Sequence, residues 1–145
     1  MRTKEFMERL DHPRIVAAIA AAEARTSGEI RVYVQRGEME EDPLLIAQQK
    51  FMEFGMEKTA ARNAILILVA PRAQKFAVVG DEGIHQKCGS DFWEKLVGAM
   101  RGHFQREKFT TALCEAIETA GKTLATHFPR EKGDHNELPD AILEN

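Results

Sequence analysis

The run Ala64-Ile65-Leu66-Ile67-Leu68-Val69-Ala70 decides the fold, because it is apolar throughout and has a β-branched residue at every second position. A strand of this composition is typical of the centre of a sheet that is covered on both faces. Pro71-Arg72-Ala73-Gln74 forms a turn, and residues 75–79 return as an antiparallel strand that ends at Gly80. The run is too short to cross a bilayer, since a membrane-spanning helix takes about 20 residues, so we predict no membrane span.

Upstream of this hairpin the sequence predicts a helix, a strand and a second helix. The first helix covers residues 13–25, and Gly28 lies beyond its end. Residues 29–35 alternate apolar and polar side chains, which is the period of a half-buried strand. The helix over residues 43–55 carries an apolar stripe and connects this strand to the next. Such a βαβ unit has parallel strands and a right-handed crossover.

Two further helices follow the hairpin. Ser90 or Asp91 is the expected N-cap of the first, and the second covers residues 109–126 and ends before Pro129. Residues 130–145 are polar and are predicted to form a tail outside a domain of residues 1–129. The predicted fold class is therefore α/β, with a short mixed sheet made of the βαβ unit plus the antiparallel hairpin, followed by C-terminal helices.

Length and charge restrict the class of protein. A chain of 145 residues suits one domain, and 20 basic against 23 acidic residues give a net charge of −3. A nucleic-acid-binding protein needs a basic face, so we predict no nucleic-acid partner. Cys88 and Cys114 have no zinc-site spacing, and we expect both thiols to be reduced. The start of the chain leads into no apolar run, so we expect a cytoplasmic location.

Strand direction brings polar residues from three distant places to one edge of the predicted sheet. The first two strands are parallel and the third is antiparallel to them. The starts of the first two strands and the end of the third must therefore lie together. The polar side chains at these three points are Glu29, Arg62, Asn63, Asp81 and Glu82.

Oxygen ligands gathered at one rim suit a hard divalent cation. Calcium is favoured over magnesium, because it takes about six to eight oxygens and accepts carbonyls and water among them. Gly80 and Gly83 are expected to give the acidic turn positive φ angles. The predicted metal ligands are Glu29, Asn63, Asp81 and Glu82.

These residues also have a purely structural interpretation. Aspartate and glutamate after a glycine form an ordinary solvated turn, and Asp81 is a suitable N-cap for the next helical segment. Arg62 would in that case pair with Glu29. His85 follows the turn and is a candidate proton donor, although a polar loop residue is the simpler interpretation.

Four segments resemble the TPM domain family, and their order and spacing cover most of the chain. They are Ala22-Glu23-Ala24-Arg25-Thr26-Ser27-Gly28-Glu29-Ile30-Arg31-Val32, Arg62-Asn63-Ala64-Ile65-Leu66-Ile67-Leu68-Val69, Val79-Gly80-Asp81-Glu82-Gly83-Ile84 and Asn136-Glu137-Leu138-Pro139-Asp140. The resemblance implies a three-layer α/β/α sandwich. It also implies a range of functions, since the family includes an acid phosphatase from a plant, cation-binding members and accessory factors of membrane complexes.

The resemblance extends to each of the predicted metal ligands, although Ala64 stands where a glycine is common in the family and narrows the rim. The leading hypothesis is an accessory or interaction module with a calcium site at the sheet rim and a membrane protein or membrane complex as its partner. The alternative is a metal-dependent acid phosphatase acting on phosphomonoesters. Asp81 would then be the catalytic residue, and Arg62 would stabilise the charge that develops.

Overall fold

The computed structural model describes residues 1–130 and 142–144, and it contains a mixed four-stranded sheet with helices on both faces. The elements in chain order are α1 (Thr3–Arg9), α2 (His12–Glu23), β1 (Glu29–Val34), α3 (Pro43–Glu53), a 3-10 helix (Met56–Lys58), β2 (Ala64–Ala70), β3 (Lys75–Gly80), α4 (Glu82–Gln105), α5 (Phe109–His127) and β4 (Ile142–Glu144). The chain has the α/β fold class that the sequence predicts.

The strand order is β3-β2-β1-β4, with β2 parallel to β1 and antiparallel to β3. This arrangement confirms the predicted βαβ unit and hairpin. Strand β4 lies at the other edge, parallel to β1, with Ile142 opposite Val32. The sequence predicted no strand in this C-terminal part, and the family-like segment at residues 136–140 lies outside the described residues.

Strand β2 is the centre of the structure, because each of its seven side chains is at most 4% exposed. Ile65 and Ile67 belong to a core cluster with α2, α4 and α5. Leu66 and Leu68 point to the opposite face and pack with Phe51 of α3. The helices on both faces give the three layers of the expected α/β/α sandwich.

Strand β1 is buried at all six positions, so the prediction of a half-buried strand is wrong. The polar side chains of the alternating pattern face α3 instead of water. Arg31 shows how a cation is accommodated there, since its guanidinium carbon lies 5.8 Å from the centre of the Phe54 ring. Burial lowers the pKa of Arg31, and the negative charges of Glu29 and Glu23 oppose this effect.

The helical boundaries differ from the sequence prediction at two places. The sequence pattern missed α1, which contributes the buried ring of Phe6 to the core. Helix α4 as a whole begins earlier than predicted, at Glu82 with Asp81 as its N-cap, but its second segment agrees with the predicted start at Ser90 or Asp91. Gly89, at φ 73°, interrupts the helical backbone and kinks α4 just before the predicted start.

Cys88 and Cys114 are free cysteines, and burial raises the pKa of both thiols. None of the helices within residues 1–130 has the length and apolar composition that a bilayer crossing requires.

Helices α2 and α5 approach each other closely at Gly121. A Cβ atom at this position would lie 2.6 Å from the Cβ atom of Ala22. Glycine therefore sets the distance between the two helices, and any side chain would push them apart.

We expect Gly121→Ala to lower the free energy of unfolding by about 1–2 kcal/mol, because overpacking outweighs the gain in helix propensity. Gly98→Ala is the matched control, since a Cβ atom on this exposed α4 residue would have no neighbour within 4 Å. It should raise the free energy of unfolding by about 0.5–1 kcal/mol. Urea denaturation measures both changes, and an equal rise in the two variants would contradict the close packing of α2 on α5.

Candidate functional site

The predicted rim lies at the start of β1 and β2 and the end of β3. Glu29 is the register partner of Ala64, and the backbone N–H of Asp81 donates to the carbonyl of Ala64 at 3.0 Å. Ala64 therefore lies between Glu29 and Asp81 in the ladder. Neighbouring strands are about 4.8 Å apart, so the backbones of Glu29 and Asp81 are separated by roughly 10 Å.

Arg62 and Asp81 form a bidentate ion pair at this rim. The Nε atom of Arg62 donates to Oδ2 of Asp81 at 2.7 Å, and Nη2 donates to Oδ1 at 2.9 Å. The third guanidinium nitrogen, Nη1, contacts Oε1 of Glu82 at 3.3 Å. Arg62 therefore pairs with the acidic turn and not with Glu29, which had been the simplest structural alternative. Hydrogen bonds to Asp81 raise the pKa of Arg62, so its guanidinium stays charged.

Asp81 also begins a helix, as the structural interpretation predicted. Its Oδ1 atom accepts a hydrogen bond from the backbone N–H of Glu82 at 2.8 Å. The partial positive charge at the start of α4 adds to the attraction of Arg62. The carboxylate is only 6% exposed, so it depends on these donors for compensation of its charge.

The two glycines of the acidic turn serve close packing. The positive φ angles expected at Gly80 and Gly83 are wrong, since the glycines with positive φ in the described part of the chain are Gly37, Gly55 and Gly89. A Cβ atom at Gly80 would lie 2.3 Å from Cη2 of Trp93. At Gly83 it would lie 2.3 Å from the carbonyl oxygen of Ala61.

Asn63 connects the starts of β1 and β2. Its Nδ2 atom donates to Oγ of Ser27 at 3.1 Å, and its backbone N–H donates to Oγ1 of Thr59 at 3.2 Å. The side chain is buried, and its Oδ1 atom accepts no hydrogen bond from residues 1–130 or 142–144. A buried acceptor of this kind is costly unless a donor or cation approaches it.

Glu29 adds a second buried carboxylate near the rim, with only 1% of the residue exposed. Its side chain shares the α3 face with Ala64. On α2, Glu23 is buried as well, and its Oε2 atom accepts from the backbone N–H of Ile30 at 2.7 Å. Glu23 was not a predicted site residue, because an acid near the end of an amphipathic helix gives no signal of burial.

The oxygen donors of the rim are of the type that a hard cation binds. In this conformation, however, the guanidinium of Arg62 occupies the carboxylate of Asp81. Asp81, Asn63 and Glu29 supply buried oxygens, and Glu82 supplies an exposed one. Across residues 1–130 and 142–144, however, no cluster of three or more histidine, cysteine or acidic side chains is arranged to hold a metal ion. A cation at Asp81 would have to displace Arg62 and to complete its shell with backbone carbonyls and water.

His85 is directed away from proton-transfer chemistry at the rim. Its Nδ1 atom accepts a hydrogen bond from Nε1 of Trp93 at 2.8 Å, and the two rings meet edge to face. The residue is exposed on the first turn of α4. The prediction of a loop residue is wrong because His85 lies in α4, where its contact holds Trp93 over Gly80.

The chain is similar to proteins of known structure over most of its length. It is 37% identical to the BA42 protein from the psychrophilic bacterium Bizionia argentinensis, whose NMR structure matches with a TM-score of 0.85 over 92% of both chains. The N-terminal domain of the cg2496 protein from Corynebacterium glutamicum shares the fold, with 16% identity, a TM-score of 0.61 and coverage of 92% of this chain and 77% of that one. No curated protein matches the chain.

The family comparison covers both the sheet and the rim. The model of the TPM domain matches residues 3–123, which include Glu29, Asn63, Asp81 and Glu82. With this match over most of its length, the chain belongs to the TPM domain family.

Proposed function

We propose that the chain is an accessory binding module in which a divalent cation exchanges with Arg62 for the carboxylate of Asp81. The observation that carries this proposal is the contrast between the two partners. Asp81 is 6% exposed and fixed by the helix start, whereas the Arg62 side chain is 41% exposed and borders water. An incoming cation would therefore take over a carboxylate that is already in place.

Calcium suits this rim better than magnesium. Magnesium demands near-ideal octahedral geometry, while calcium accepts irregular sets of oxygens that include carbonyls and water. Asp81 and Glu82 would supply carboxylate oxygens from one side, and Asn63 and Glu29 would supply oxygens from the neighbouring strands. The buried Oδ1 atom of Asn63 supports the proposal of a cation site, because it accepts no hydrogen bond from the described residues.

The accessory role rests on the family and on the chemistry of the rim. Arg62 occupies both carboxylate oxygens of Asp81. This favours reversible cation binding at Asp81 over catalysis, because a catalytic carboxylate has to be free to react. The proposal includes a membrane protein or membrane complex as the partner, because the family resemblance implies such partners. A location in the cytoplasm remains a prediction from the sequence.

Calcium titration of three variants tests the cation exchange. Asp81→Asn keeps an N-cap but removes the charge, so we expect calcium affinity to fall at least about tenfold. Arg62→Gln removes the competing cation, so we expect affinity to rise severalfold above that of the unmodified chain. The unmodified chain should bind in the range of about 0.1–1 mM. Calorimetry gives the affinities, and NMR shifts at residues 62, 63 and 81 locate the site.

Asp42→Asn is the matched control for this titration. Asp42 is also an N-cap aspartate, and its Oδ1 atom accepts from the backbone N–H of Leu44 at 2.9 Å. The substitution removes the same charge from the start of α3 and should leave calcium binding unchanged. Weaker binding in Arg62→Gln, or equal losses in Asp42→Asn and Asp81→Asn, would contradict the exchange.

A phosphomonoesterase is the second candidate, because the exposed guanidinium of Arg62 lies directly beside Asp81 and offers a contact for a phosphoryl oxygen. A bound metal would supply Lewis-acid polarisation of that oxygen. Attack of the Asp81 carboxylate on phosphorus would release the alcohol and form an aspartyl phosphate. Water would then hydrolyse this intermediate to phosphate and the free carboxylate.

Turnover of nitrophenyl phosphate by the purified chain tests this candidate. Asparagine cannot form the acyl phosphate, so Asp81→Asn should lose at least about 99% of turnover if the carboxylate is the nucleophile. Asp42→Asn should retain full turnover. Activity that survives unchanged in Asp81→Asn would assign the hydrolysis to another group or another protein.

A further inference from the structure

A recess lies at the opposite ends of the strands from the acidic rim, which is the group Glu29, Arg62, Asn63, Asp81 and Glu82. It has a volume of about 660 Å³ and opens beside the end of β2, the start of β3 and the turn between α4 and α5. The carboxyl ends of parallel strands are the usual location of ligand sites in open α/β sheets. The volume also falls in the range of about 300–1,000 Å³ that is typical of small-molecule sites.

Four phenylalanine rings form one continuous wall of this recess. The ring centres are 5.0 Å apart between Phe76 and Phe104, 6.2 Å between Phe104 and Phe109, and 5.0 Å between Phe109 and Phe6. Phe6 is buried, whereas the other three rings are half-buried and present part of their surface to the recess. A wall of this kind favours the apolar body of a ligand.

The charges around the recess are unequal. Arg101 lies over the Phe76 ring, with its guanidinium carbon 5.9 Å from the ring centre, and it forms no ion pair with residues 1–130 or 142–144. The one lining carboxylate, that of Glu107, is taken by Arg9 at 2.9 Å. Of the two basic side chains that line the recess, Lys75 donates to the carbonyl oxygen of Met39 at 3.0 Å, which leaves the Arg101 guanidinium for a ligand, while the neighbouring acid is neutralised.

The backbone around the recess is unusual as well. Three non-glycine residues have positive φ in the described part of the chain, namely Arg62, Gln74 and Glu107. Arg62 lies at the acidic rim, and both Gln74 and Glu107 line this recess. Backbone in this sparsely populated region concentrates at ligand-binding positions, because the surrounding structure must sustain its cost.

We propose that this recess binds a small amphipathic monocarboxylate, with its aromatic or aliphatic body on the phenylalanine wall and its carboxylate on Arg101. One available guanidinium matches one negative charge, and a planar carboxylate fits the two parallel donors of arginine. The recess is separate from the acidic rim, so the proposed carboxylate site and the proposed calcium site are tested independently.

Titration of the full chain with naphthylacetate tests the site. Naphthylacetamide supplies the same rings without the charge, and acetate supplies the charge without the rings. We expect naphthylacetate to shift the NMR signals of Phe76, Arg101 and Phe104, with affinity at least about tenfold above that of either control ligand. Equal binding of the acid and the amide, shifts confined to other residues, or no shift at millimolar ligand would each overturn the proposal.

Two arginine variants separate a specific contact from the overall charge of the chain. Arg101→Gln should lose the tenfold preference for the acid over the amide. Arg106→Gln removes the same charge from an exposed residue just beyond α4 that does not line the recess, and it should keep the preference. Because both side chains are exposed, both variants should retain the circular dichroism spectrum of the unmodified chain. Equal effects of the two substitutions would contradict a carboxylate contact at Arg101.

Discussion

Strand β2 has no side chain that is more than 4% exposed, so the elements around it must cover both of its faces. Helix α3 covers one face, and α2, α4 and α5 cover the other. Because helices cover both faces of β2, the polar candidate sites lie at the two ends of the strand. The acidic rim lies at the start of β2, and the aromatic recess lies beside its end.

The ion pair at the start of β2 follows from the same constraint. Asp81 must lie close to the buried strand, because its backbone extends the hydrogen-bond ladder to Ala64. A carboxylate in such a position needs donors, and it receives them from the start of α4 and from Arg62. Arg62 reaches it from a left-handed backbone conformation at φ 53°. The backbone conformation of the turn before β2 therefore places the Arg62 guanidinium beside the Asp81 carboxylate.

The difference in exposure between the two partners gives the rim its proposed function. Asp81 is held by the fold, whereas much of the Arg62 side chain already contacts water. A guanidinium in this position compensates the acid when no other cation is present. In our proposal a divalent ion replaces the guanidinium without any rearrangement of the sheet, because only a surface side chain has to move.

Sequence reasoning located the rim, because strand direction alone determines which ends of the strands meet. It did not determine the partner of Arg62, since Glu29 and Asp81 lie on opposite sides of Ala64 and only the turn geometry selects between them. An N-cap role for Asp81 was one of the two interpretations of the turn, but the extent of the first segment of α4 was not predicted, because Gly83 and Gly89 interrupt the helical pattern. The burial of Arg31 was missed because an alternating pattern does not reveal that a helix covers the polar face.

Arg62 and a divalent cation compete, in our proposal, for one carboxylate. The NMR signal of the Arg62 Nε–H group reports this competition directly, because this group donates to Oδ2 of Asp81 at 2.7 Å. We predict that calcium moves the signal toward that of a solvated arginine, in step with a shift of the Asp81 carboxyl carbon. A carboxyl carbon of Asp81 that responds to calcium while the Arg62 signal stays fixed would contradict the exchange, as would a titration that changes neither signal.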